Sequence, residues 1–120
     1  MINDSYLEGA AGLVIGQSID IPSHMAFGST FGTLTGADII TSGEFDRVSL
    51  STGERSGAIA KHIGLRSSAS ASSDGDLIQV VGIHTSSAGG DLWTNMLLSS
   101  LLHTTDFDVE VEMWGTFERK

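Results

Sequence analysis

The sequence predicts a mainly β fold in which one short N-terminal helix is followed by about six strands. Three observations carry this. The stretch Phe107 to Phe117 sets Phe107, Val109, Val111, Met113, Gly115 and Phe117 against Asp108, Glu110, Glu112, Trp114 and Thr116. That is the period-two pattern of a strand with one apolar and one wet face. Gly, Ser and Thr make up about a third of the 120 residues, beside one proline, a composition of many turns and short strands. Helical periodicity is clearest in the first residues.

Taken in order, Asn3 or Asp4 caps a helix expected over residues 5–17. Tyr6, Leu7, Ala10, Ala11, Val14 and Ile15 recur in it at three- and four-residue spacing. Gly9, Gly12 and Gly16 weaken it by about 1 kcal/mol each against alanine, and also let a neighbouring element approach closely. Pro22 makes residues 19–22 an extended linker, so the chain divides into a helix over 1–18 and a β body over 19–120. His24 to Ser29 is a strand with Met25 and Phe27 on one face. Gly28 to Gly43 is a long polar loop anchored by Leu34, Ile39 and Ile40, of a length that tends to be functional or interfacial.

Phe45 to Ser51 is the next strand, Thr52 to Gly57 a turn, and Ala58 to Arg66 a strand with Ile59, Ile63 and Leu65 on one face. Ser67 to Ser73 is low-complexity serine and alanine, and Asp74-Gly75 is a turn signal. Leu77 to His84 is a nearly continuous apolar strand. After a turn at Ser86 to Gly90, the spacing of Leu92, Met96, Leu97, Leu101 and Leu102 also fits one helical face, but the turn-rich surroundings favour a strand over Leu92 to Leu98 and irregular structure over Ser99 to Thr105.

The net charge of −9, with only Lys61 and Lys120 as lysines, argues against nucleic acid as the main partner, because phosphate contacts need clustered cations. Acid excess with scarce lysine also suits a protein of high-salt surroundings. With no cysteine, no disulfide or thiolate site is expected. No segment approaches the roughly 20 apolar residues of a membrane span, and no signal peptide is recognised. The expectation is one soluble domain without a membrane partner.

No grouping of residues points to catalysis. His24, His62, His84 and His103 lack metal-ligand spacing and are expected as hydrogen-bonded surface residues at strand ends. Asp74 and Asp76 flank Gly75 but lack the other ligands of a calcium loop; plain turn aspartates are the expectation. The Gly28 to Gly32 segment lacks the Gly-Lys-Ser/Thr ending of a phosphate loop. Glu110 and Glu112 would stand roughly 7 Å apart on one strand face, a spacing glycoside hydrolysis can use, yet a solvated acidic stripe explains them far better. No metal, cofactor or catalytic residue is therefore expected.

The ordered series of these segments resembles small structural proteins of the tail-fibre and tail-collar type from tailed viruses of bacteria or archaea. The likeness runs from Tyr6-Leu7-Glu8-Gly9-Ala10-Ala11-Gly12-Leu13, through the strand His24 to Ser29 and the Thr33-Leu34-Thr35 loop, to Glu44-Phe45-Asp46-Arg47-Val48. It continues through Ile78-Gln79-Val80-Val81-Gly82 and Gly89-Gly90-Asp91-Leu92 into the closing strand. It departs where such proteins carry Ile-x-Glu-x-Gly-Leu-Phe: Val80 or Val81 stands at the glutamate and Ile83-His84 at the Leu-Phe pair. The resemblance implies a non-enzymatic antiparallel β-sandwich, jelly-roll or immunoglobulin-like, acting in the virion as a homo-oligomer (trimer, pentamer or hexamer) beside other virion proteins. Leu7, Leu34, Ile39, Ile40, Trp93 and Trp114 are the candidate subunit contacts. A carbohydrate- or receptor-binding module using Trp93 or Trp114 as a stacking platform is the alternative.

Overall fold

The computed structural model describes residues 4, 7–8, 10–11, 15–16, 21–29, 34, 41, 43–51, 54–56 and 59–116, with 54–56, 59–60 and 114–116 described as backbone alone. The strands are β1 (His24–Gly28), β2 (Glu44–Ser49), β3 (Glu54–Ser56), β4 (Ile59–Arg66), β5 (Asp76–His84), β6 (Leu92–His103) and β7 (Val109–Thr116). All pairings are antiparallel. They make a four-stranded sheet in the order β2-β1-β5-β6 and a three-stranded sheet in the order β3-β4-β7. The protein is mainly β, as its turn-rich composition predicts.

One apolar cluster takes side chains from both sheets. Met25, Phe27, Ile78, Val81 and Ile83 come from β1 and β5, Val109 and Met113 from β7, and Val48, Leu50, Met96, Leu98 and Val111 pack around them. Burying such a side chain stabilises by about 1.5–3 kcal/mol, so this cluster is the main hydrophobic anchor. The inward set on β7 is the alternating set of the sequence, with Glu110 and Glu112 exposed. Phe107 stands outside the strand and is exposed.

β5 is buried on both faces, which explains its nearly continuous apolar run. Behind the core-facing residues, Ala26, Val80 and Leu92 are also fully or almost fully buried. A Cβ at Gly82 would press on Thr41 Oγ1 and Leu92. Thr41, from the long polar loop, thus lies against the back of the sheet.

The sheets are also joined through the backbone. Beyond β2, Leu50 forms a bridge to Gly64 of β4, and the Ser51 amide donates to the Ile63 carbonyl at 2.8 Å. Gly64 allows this approach, because a Cβ there would strike the Met25 side chain.

The N-terminal helix lies mostly outside the described residues. Asp4, Leu7, Glu8, Ala10 and Ala11 are helical in backbone where described, but no α-helix stands among the described elements. Three expectations change. The turn expected over Thr52 to Gly57 contains β3, whose Glu54 pairs with Lys61; turn-forming neighbours mask so short a strand. The strand expected to stop at Leu98 runs on to His103, and Ser99 to His103 belong to it. What reads as a break is a shift of register opposite Ile78 and Val80. Ile63 and Leu65 share a face as expected, but Leu65 is exposed while Gly64 and Arg66 are buried. Hydropathy alone orients β4 backwards.

The serine-rich stretch forms a 3₁₀ turn over Ser68–Ser70, capped by Ser67, whose Oγ accepts from the Ala69 amide. Asp108 pins it by accepting from the Ser68 amide at 2.7 Å. Gly43 closes the β1–β2 connection with φ +64°, and its carbonyl accepts from the Ser29 amide at 3.2 Å. A Cβ at Gly43 would strike the Ser29 carbonyl oxygen. Gly43→Ala is therefore expected to cost about 2–4 kcal/mol from left-handed strain and a backbone clash together. A urea midpoint within error of the parent would refute this.

Candidate functional site

Three regions carry chemistry-bearing side chains. The first is the outer face of the three-stranded sheet. Register sets Leu65 opposite Glu110 and Ile63 opposite Glu112, while Lys61 stands opposite Trp114. Lys61 Nζ lies 4.0 Å from Glu112 Oε1. The carboxylate stripe thus meets a cation from its own chain, at a distance and exposure where a pair contributes about 0–1 kcal/mol. Both glutamates are exposed, whereas a general acid needs surroundings that hold its proton. This face has the character of a solvated stripe.

The second region centres on Arg66 of β4, which is 3% exposed. Its Nε donates to Asp46 Oδ2 of β2 at 2.6 Å, and its Nη2 to Asp76 Oδ2 of β5 at 2.9 Å. Nη2 also donates to the Ser70 carbonyl at 3.0 Å, and Nη1 meets His103 Nδ1 of β6 at 2.8 Å. A guanidinium only donates, so His103 Nδ1 accepts. The hydrogen of the neutral ring then sits on Nε2, which donates to the Phe107 carbonyl at 2.7 Å. Phe45 stacks on the cation, with its ring centroid 5.2 Å from Cζ. Burial pushes the Asp76 carboxyl up, but the Ser72 amide and hydroxyl, and then Arg66, hold it below the ordinary carboxylate range. One planar fork from the three-stranded sheet is therefore bound to three strands of the other sheet.

The third region lies at the far end of β5. His84, 1% exposed, has Nε2 2.7 Å from Thr41 Oγ1 and 4.0 Å from Glu44 Oε1. Its Nδ1 has no hydrogen-bond partner among the described residues. Burial, with Arg47 nearby, pushes the ring down to about 4 against an opposing pull from Glu44. Arg47 binds Glu44 through both carboxylate oxygens at 2.9 and 2.6 Å and donates to the Ser86 and Gly89 carbonyls. Gly89 and Gly90, both at positive φ, shape the turn that presents those carbonyls.

These regions correct the sequence reading of the histidines. His84 and His103 are interior residues, since the partners that satisfy them come from distant strands and loops. His24 is partly buried between Ser23 and Ser49, and burial pushes His62 below its ordinary range. Asp76 belongs to the Arg66 cluster rather than to a plain turn. Arg66, Asp46 and Thr41 had no signal of their own. Among the described residues, no grouping of His, Asp and Glu is placed to hold a metal ion, and no helix is long and apolar enough to cross a membrane.

Of the candidate contacts, Leu7 is exposed and Leu34 half-buried. Ile39 and Ile40 lie outside the described residues, and Trp114 is described only as β7 backbone. Trp93 is 7% exposed, so its ring has little face to offer a neighbour or a sugar. A group of exposed leucines lies instead at the end of β5 and β6, where Leu77, Leu97, Leu101 and Leu102 are exposed and Leu77 pairs with Leu102. Comparison with family models, curated proteins and solved structures finds no significant match.

Proposed function

We propose that this chain is a non-enzymatic structural subunit of a tailed-virus particle, in the tail, collar, baseplate or capsid decoration. In this reading the two sheets form a β-sandwich of jelly-roll or immunoglobulin-like type behind an N-terminal helix. The subunit assembles with copies of itself and with other virion proteins, without nucleic acid, membrane or cofactor. The observation that carries it is the set of exposed leucines on β5 and β6 of an otherwise acidic chain. Apolar surface gathered at one place marks a contact site. The buried charges support the same reading, because Arg66, Asp46, Asp76 and His103 are occupied with one another and brace a body rather than face a substrate. The carbohydrate-binding alternative loses one of its two ring platforms to the burial of Trp93.

Mass spectrometry of density-purified virus particles tests the proposal. The chain is expected at a fixed ratio to the major structural proteins. Its abundance in infected cells together with its absence from purified particles would overturn the virion assignment. The mass of the isolated chain at low and at molar salt is expected to be that of a discrete oligomer.

A further inference from the structure

β6 ends the four-stranded sheet, so one side of its backbone faces no described strand. Trp93, Thr94 and Asn95 are engaged within their own chain. Leu97 and Leu102, by contrast, are 50% and 49% exposed, and Ser99, Ser100 and Leu101 between them are exposed as well. From Leu92 to His103 the strand holds no Asp, Glu, Lys or Arg. The other end strands carry charge: Glu44, Asp46 and Arg47 on β2, Glu54 and Arg55 on β3, and Glu110 and Glu112 on β7. Proteins usually guard a long edge with such charges. In a chain of net charge −9, β6 is the end strand along which two copies can meet without opposing like charges.

The stretch Leu97-Leu98-Ser99-Ser100-Leu101-Leu102 reads the same in both directions. We propose that β6 pairs antiparallel with β6 of a second copy, about a two-fold axis passing between Ser99 and Ser100. Leu97 then stands opposite Leu102, Leu98 opposite Leu101 and Ser99 opposite Ser100, and the two four-stranded sheets become one. A two-fold interface needs this self-complementarity.

The faces agree as well. Leu98 packs on the core and Leu101 pairs with core residue Ile78, while Leu97 pairs with Val80 and Leu102 with Leu77 on the opposite face. In a regular strand, residues an odd number apart point to opposite faces, and this register would set inward leucines against outward ones. The irregularity between Leu97 and Leu101 reverses the alternation, so like faces like on both sides. A bulge commonly turns an edge away from pairing; here it brings the two halves of the repeat into register. The inference rests on the reading that the chain assembles with itself, but not on the viral setting.

The absence of cysteine makes a register test direct. Full-length Leu97→Cys and Leu102→Cys proteins are prepared separately, then oxidised mildly alone and mixed. Opposed cross-strand positions suit a disulfide, whereas two thiols at the same position would lie about 15 Å apart, so the mixture is expected to give about tenfold more linked dimer. Sedimentation of the parent chain is expected to give a dimer or an even multiple such as a hexamer. Ser99→Lys, with unchanged far-UV circular dichroism, is expected to dissociate it at least at the β6 contact. An oligomer that persists in Ser99→Lys and shows no preference for the mixed disulfide would overturn the edge pairing and leave self-assembly standing. A trimer or pentamer would do the same. A monomer at every concentration would overturn both.

Discussion

Replacing Arg66 with alanine is expected to destabilise the protein by about 3–5 kcal/mol, the range for removing one partner from a buried ion pair. The Arg66 side chain is 3% exposed, while its partners Asp46 and Asp76 retain 29% and 21%. The loss therefore comes chiefly from the hydrogen bonds and the packing of the fork. His103 Nδ1 would lose its donor, and Asp76 would keep only its bonds from Ser72. Arg66→Lys is expected to recover only part of the loss, because a single ammonium cannot span Asp46, Asp76, His103 and the Ser70 carbonyl together. Urea denaturation of the three proteins checks this. A change below about 1 kcal/mol, the scale of a surface pair, would mean that the cluster does not brace the sheets.

Acidification from pH 6.5 to 4 is expected to remove stability through His84, at up to about 1.4 kcal/mol per pH unit in the middle of that range. The ring titrates at 6.5 when unfolded and is pushed to about 4 in the fold. Between these values the unfolded chain binds a proton that the native chain refuses. A group with a depressed folded value contributes fully above its unfolded value, and the contribution disappears as pH falls through the folded one. His62, also lowered by burial, adds in the same direction. Asp76 acts in a separate window, since its value is lowered beneath the ordinary carboxylate value of 3.8. His84→Gln, which cannot titrate, is expected to flatten the slope between pH 6.5 and 4. An unaltered slope in that variant would acquit His84.

The strands β1, β5 and β7 were legible because each satisfies a local rule. Met25 and Phe27 alternate, Ile78 to Ile83 form an apolar run, and Val109 to Met113 alternate with glutamates. β3 was hidden because Glu54, Arg55 and Ser56 sit among turn formers and only pairing with β4 makes them a strand. β6 was cut short because Ser99-Ser100 reads as a break, while the pairings of Leu101 and Leu102 with β5 hold the strand together. The interior polar groups were illegible for another reason. His84 is satisfied by Thr41, and His103 by Arg66; such partners are distant in sequence, and a lone histidine carries no mark of them. The palindrome was readable in the sequence, but it acquires meaning only once β6 is known to be an exposed edge.

The pairing of β4 with β7 has a consequence for how the protein comes into being. Ile59 meets Thr116 and Arg66 meets Val109, while β1, β2, β5 and β6 all precede β7 in the chain. A chain emerging from the ribosome can complete the four-stranded sheet while β4 still waits for its second neighbour. Contacts this remote in sequence are slow to form because the loop must close before they repay its entropy. Until Val109 to Thr116 have been synthesised, Met25 and Phe27 lack the cover of Val109 and Met113. The nascent chain then displays an unfinished core, and that interval is when a chaperone would find most to bind.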